Sequence, residues 1–220
     1  MARVDAVRVL KRVVVISVCL LVLGGCAPEQ RIPIVVDNHR SDTIITYRKP
    51  PVAATTPARN HSNGAYGWNP PANIEKKWTA VIIHHSVTSN GNVALFDKYH
   101  REENGWDSIG YDFVIGNGRG SGDGQIEVTV RWRKQKTGAH CKTANNWANE
   151  RGIGICLVGD FTKTRPTRKQ IASLIKLTRF LQKRYNIPNS RIYGHKNTPG
   201  ARVTDCPGKY FPMGRFKAML

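Results

Sequence analysis

Two unbroken apolar runs, Thr79-Ala-Val-Ile-Ile-His84 and Gly152-Ile-Gly-Ile-Cys-Leu-Val158, constrain this chain most. Neither alternates with polar residues, so each reads as a strand buried on both faces, which requires a layer of structure above and below it. Stretches 111–115 and 126–131 are β-branched or aromatic and bounded by Gly or Asn, and they predict two more strands. Helix patterns fall at 93–103 and 165–185. In the second, Ile171, Leu174, Ile175, Thr178, Leu181 and Tyr185 recur at three- and four-residue spacing, Pro166 sits in the first turn, and Asn186-Ile187-Pro188 ends the pattern. Strands alternating with helices predict an α/β single domain, a central mixed β-sheet flanked by helices. The run Gly116-Asn-Gly-Arg-Gly-Ser-Gly-Asp-Gly124 reads as a hairpin loop, because it lacks the lysine and following helix of a phosphate cradle.

The first run closes on His84-His85-Ser86, and a second chemical cluster lies far downstream at Gly194-His195 and Thr204-Asp205-Cys206-Pro207-Gly208. Neighbouring side chains on a strand point to opposite faces, so His84 and His85 cannot both meet one ion; one is a ligand and the other lines the site or packs below it. His84, His195 and Cys206 would make a three-ligand zinc set, leaving one tetrahedral position open for a reactive water. His195 and Cys206 must then be brought together by a loop around Pro199-Gly200. A histidine met in isolation is more often packed or on the surface than a ligand, so His39, His61 and His100 receive no role.

Arg3, Arg8, Lys11 and Arg12 precede the apolar run 13–23, which breaks at Gly24-Gly25-Cys26. This is the pattern of a signal peptide, residues 1–25, and the run is short for a bilayer span, which takes about 20 residues. Leu23-Gly24-Gly25-Cys26 resembles the bacterial lipoprotein box, which implies lipidation at Cys26 and a membrane-anchored location in the cell envelope facing the periplasm. Ala27 after that cysteine resembles outer-membrane sorting. The alternative is an ordinary cleaved signal with an incidental cysteine. Residues 26–73, rich in Pro, Thr, Asn and Arg, read as a lipid-anchored tether, and 74–220 as the folded domain.

The formal charge of +19 favours a polyanionic neighbour. With a secretory leader, that neighbour is envelope rather than nucleic acid: phospholipid head groups, acidic glycans and wall peptides. A merely solvated basic surface is the alternative. Cys141 and Cys156 could pair in an oxidising compartment, although Cys156 sits in an apolar run where a buried free thiol is the commoner state.

Six motifs occur in order: Ile82-Ile83-His84-His85-Ser86; Ile109-Gly110-Tyr111-Asp112-Phe113-Val114-Ile115; Thr137-Gly138-Ala139-His140; Gly152 to Phe161; Gly194-His195; and Asp205-Cys206-Pro207-Gly208. Together they resemble the zinc-dependent N-acetylmuramoyl-L-alanine amidases related to T7 lysozyme and the peptidoglycan recognition proteins. The resemblance implies their fold, a monomer, and hydrolysis of the amide joining the lactyl group of N-acetylmuramic acid to L-alanine in peptidoglycan or muropeptides. It places metal ligands at His84, His195 and Cys206, and a catalytic tyrosine at Tyr111. Other branches carry a glutamate where Cys156 stands, which gives Tyr111 more weight. Thr204 falls where relatives have lysine or threonine and would donate to the oxyanion. Tyr111 as a core aromatic and Thr204 as a turn residue stay open alternatives. His85 and His140 are candidate substrate-binding groove residues, with structural packing as the other reading. Family members lacking the third ligand recognise wall fragments without cutting them, so a non-catalytic binding module is the alternative function.

Overall fold

The computed structural model describes residues 65–220. The expected signal peptide, the lipidation residue Cys26 and most of the tether lie outside the described residues. The folded part starts ahead of residue 74, where the sequence placed the end of the tether. A 3-10 turn at Ala65–Trp68 precedes another at Ala72–Ile74, and Trp68 is only 3% exposed in the main core.

Five strands form one mixed sheet in the order β3-β2-β4-β1-β5. β1 (Ala80–His85) and β4 (Gly152–Leu157) lie side by side in parallel at its centre, and every residue of both is buried, which is why their sequences do not alternate. β2 (Phe113–Ile115) runs parallel to β4 on one side, and β5 (Ile192–Gly194) parallel to β1 on the other. β3 (Ile126–Val128) turns back antiparallel to β2 after the glycine-rich hairpin loop. The strand expected over 126–131 is shorter because Thr129 caps a helical turn, α2 (Val130–Arg133), its Oγ1 accepting from the Trp132 N–H.

Helices cover both faces. α4 (Arg168–Tyr185) buries Leu174, Leu177 and Leu181 against Ile83, Ile153, Ile155 and Leu157. Its start is set by a capping box in which Thr167 and Gln170 satisfy each other's backbone donors, so Pro166 precedes the cap rather than occupying the first turn. α1 (Val93–Glu102), capped by Asn92, packs Phe96 with Val114 and Val158 on the other face. α3 (Trp147–Arg151) sets Ala148 against Ile82 on that same face. α5 (Met213–Ala218) adds Phe216 to the α4 layer. No described helix is long and apolar enough to cross a membrane.

Candidate metal centre

The pleat of β1 sends Ile82 and His84 to the face covered by α1 and α3, and Val81, Ile83 and His85 to the face under α4. His84 is paired in register with Cys156 on β4, so their side chains share a face. β5 ends at Gly194, and His195 opens the following 3-10 turn, its ring centroid 4.7 Å from that of His84. The loop carrying Cys206 is tied back to this turn: the Lys196 N–H donates to the Cys206 carbonyl at 2.8 Å, and Ala201 bridges to Thr143. Residues far apart in sequence therefore converge through one strand end and one pinned loop.

Donor atoms of His84, His195 and Cys206 all lie within 4.8 Å of one another, and Cys206 Sγ is 3.6 Å from His84 Nδ1. Bond lengths of about 2.0–2.1 Å to nitrogen and 2.3 Å to sulfur give a tetrahedral N···S edge of about 3.5 Å, so the three could hold a first-row divalent ion. Burial, with the charges of His140 and His195 after it, holds the His84 imidazole well below its ordinary pKa, in the neutral form that ligates. Burial likewise pushes the Cys206 thiol up to about 12, partly offset by a hydrogen bond from the His85 backbone. Such a thiol gives up its proton when a cation takes its place.

His84 Nε2 lies 3.0 Å from His140 Nδ1, and His140 Nε2 lies 3.2 Å from the Gly152 carbonyl. A carbonyl only accepts, so His140 carries its proton on Nε2 and offers Nδ1 as acceptor. His84 then donates from Nε2, which leaves the Nδ1 lone pair facing Cys206 and His195. Two glycines make room for the His140 ring: a Cβ on Gly154 would fall 2.5 Å from its Cδ2, and one on Gly138 2.6 Å. His140 is 8% exposed, and its pKa is lowered to about 3 by burial. Of the two readings of His140, groove residue or packing, its burial behind the His84 ring favours packing.

His85 lies on the α4 face, 4% exposed, with its Nδ1 accepting from the Phe161 N–H, which favours packing over a groove role. Tyr111, half-buried, sits beside the cluster with its ring 5.3 Å from that of His84. Burial, followed by the nearby Cys156 and Cys206, raises its phenol well above 10. Thr204 Oγ1 accepts from the Cys206 N–H at 3.2 Å, a turn contact that leaves its hydroxyl hydrogen available. Cys141 and Cys156 are separate buried free thiols, and Cys156 is outside the converging donor set. His100, given no role from sequence, is a packing residue whose Nδ1 accepts from the Gly110 N–H.

Fold and pocket together define an α/β domain with a mixed five-stranded sheet and a possible metal site of two histidines and one cysteine. Residues 75–209 match the family described as N-acetylmuramoyl-L-alanine amidase, and the chain belongs to that family. It is 35% identical over 99 residues to peptidoglycan-recognition protein 1 of Holotrichia diomphalia, covering 41% of this chain and 45% of that protein. It is 29% identical over 119 residues to the human N-acetylmuramoyl-L-alanine amidase, covering 53% of this chain and 18% of that one. The chain therefore spans less than half the length of either relative. The amidase LysC from Clostridium intestinale superposes with a TM-score of 0.55 at 32% identity, covering 64% of this chain and 84% of LysC. Bumblebee PGRP-SA superposes at 0.52 and 27% identity, over 66% and 83%.

Proposed function

We propose that this protein hydrolyses the amide between the lactyl group of N-acetylmuramic acid and the L-alanine of peptidoglycan stem peptides, with zinc as its metal. The observation that carries this reading is the convergence of donor atoms of His84, His195 and Cys206 within 4.8 Å of one another on an amidase-family fold. When bound, zinc supplies Lewis acidity, polarising an amide carbonyl and acidifying water. His84 Nδ1, one His195 ring nitrogen and Cys206 Sγ would hold it, with His140 fixing the His84 tautomer from behind.

Tyr111 and Thr204 supply the remaining polar groups. With its pKa raised by burial, the Tyr111 phenol keeps its proton at neutral pH and acts as a hydrogen-bond donor beside the ligands, orienting water or the carbonyl. The Thr204 oxygen accepts from the Cys206 N–H, and its O–H remains to donate to oxygen that gains negative charge. Two neutral donors suit an amide, whose carbonyl oxygen must take up charge before the C–N bond breaks.

Several relatives are named as peptidoglycan-recognition proteins, and retention of Cys206 favours hydrolysis over recognition alone. Mass analysis of soluble products from digested peptidoglycan is the test. Free stem peptides are expected from the native chain with zinc, none with a chelator, and at least a hundredfold fewer from Cys206→Ser. A zinc-loaded protein that binds peptidoglycan without releasing peptide would establish the recognition reading instead.

A further inference from the structure

Charge is distributed unevenly among the helices. α4 and α5 together carry eight Lys or Arg. α4 has no acidic residue in its eighteen, and α5 has none in its six. Lys169, Lys176, Arg179 and Lys183 follow one another at seven-, three- and four-residue intervals, which sets them in a stripe about 21 Å long on one exposed side of α4. Arg168 begins the stripe, and Arg215 on α5 is exposed in the same layer.

The opposite layer differs in kind. In α1 the cations Lys98 and Arg101 pair within the helix with Glu102 and Asp97. The two helices on the layer that buries the α4 leucines thus carry a net charge of +8, while the His84 cluster lies on the other face. No aromatic residue occupies the exposed stripe, so it offers nothing on which nucleotide bases could stack.

We infer that the outer face of α4 and α5 docks on an anionic lipid surface, which leaves the His84–His195–Cys206 pocket turned away from the bilayer. A straight row of cations on a flat helical layer complements a plane of head groups, and each Lys or Arg near such a surface strengthens association roughly fivefold. Attraction of this kind is screened within about 10 Å at moderate salt. Docking in this orientation would present the pocket to polymer held off the membrane. It depends on the distribution of charge and not on the hydrolytic reading.

The test is an amine-acylation footprint of the full chain, read by mass spectrometry, on vesicles of equal parts phosphatidylcholine and phosphatidylglycerol and on vesicles of phosphatidylcholine alone. Insertion by residues 13–23 would bring the chain to both vesicles alike, so the comparison isolates the face. Lys169 and Lys183 are expected to react several-fold more slowly on the anionic vesicles, Lys98 on α1 to be unchanged, and the protection to vanish at high salt. Equal rates at Lys169 and Lys183 on the two vesicles overturn the inference, as does equal protection at Lys98. Duplex DNA shielding these lysines as well as the vesicles do, at the same salt, also overturns it, since the face would then be a general polyanion or nucleic-acid surface.

Discussion

At His140 one ring nitrogen decides the state of a neighbouring ring. The Gly152 carbonyl selects its tautomer, and that tautomer directs the His84 lone pair into the pocket. Removing the ring by His140→Ala leaves His84 free to protonate or rotate, and partners of this kind typically contribute 10–100-fold in metal affinity. Competition titration with a zinc chelator is expected to show that loss with the circular-dichroism spectrum kept. His100 makes a different prediction, about pH. Burial, aided by the Arg131 charge, lowers its pKa to about 4, so the folded protein holds it neutral where the unfolded chain, titrating near 6.5, takes up a proton. The unfolded state binds more protons between those values. The stability from neutral His100 is thus complete above about pH 6.5 and lost as pH falls toward 4, amounting to about 3 kcal/mol. Urea titrations at pH 7 and pH 4.5 should show a smaller loss for His100→Gln than for the native chain.

The strands β1 to β4 and the helices α1 and α4 were legible in the sequence, whereas β5, α2, α3 and α5 were not. β1 and β4 declare themselves as apolar runs because both faces of each are covered, and α4 by a repeated apolar stripe. β5 has three residues, too few for periodicity, although it delivers His195. α5 has six, including Gly214, and carries no resolvable pattern. The three converging donors were legible as residue types, whereas the His84–His140 contact joins positions 56 apart with no local signal. The choice between groove and packing for His85 and His140 stayed open for the same reason: sequence shows that a histidine is near the site but not which side of a strand it occupies. The glycines of β4 connect element to site. Gly154→Ala places a methyl 2.5 Å from His140 Cδ2, inside the distance any real Cβ tolerates, so the ring must move. Zinc affinity should fall with Gly154→Ala in the direction of His140→Ala, and the double variant should lose little beyond the single ones.

For the molecule as a whole, the point where the fold begins has consequences for stability. Composition placed the boundary at residue 74, since Pro70-Pro71 and the polar residues before them show no core pattern. One large aromatic overrides that composition. Trp68 meets Phe180 of α4 edge-on at 5.4 Å, its carbonyl accepts from Trp132 Nε1 at 2.7 Å, and it belongs to the core that also holds Trp78 and Ile153. The segment is fastened a second time by Glu75, whose carboxylate takes Arg184 at 2.5 Å and the Tyr185 hydroxyl at 2.6 Å. Trp68 thus packs against the middle of α4 while Glu75 grips its end, and the segment braces the layer on the face opposite the pocket. Trp68→Ala deletes a buried ring without touching the backbone bond to Trp132, and a cavity of that size costs about 3–5 kcal/mol. Chemical denaturation should show that loss, while the zinc stoichiometry of the folded protein stays unchanged because His84, His195 and Cys206 lie across the sheet. Unfolding at the native midpoint would place Trp68 outside the core and return the boundary to residue 74.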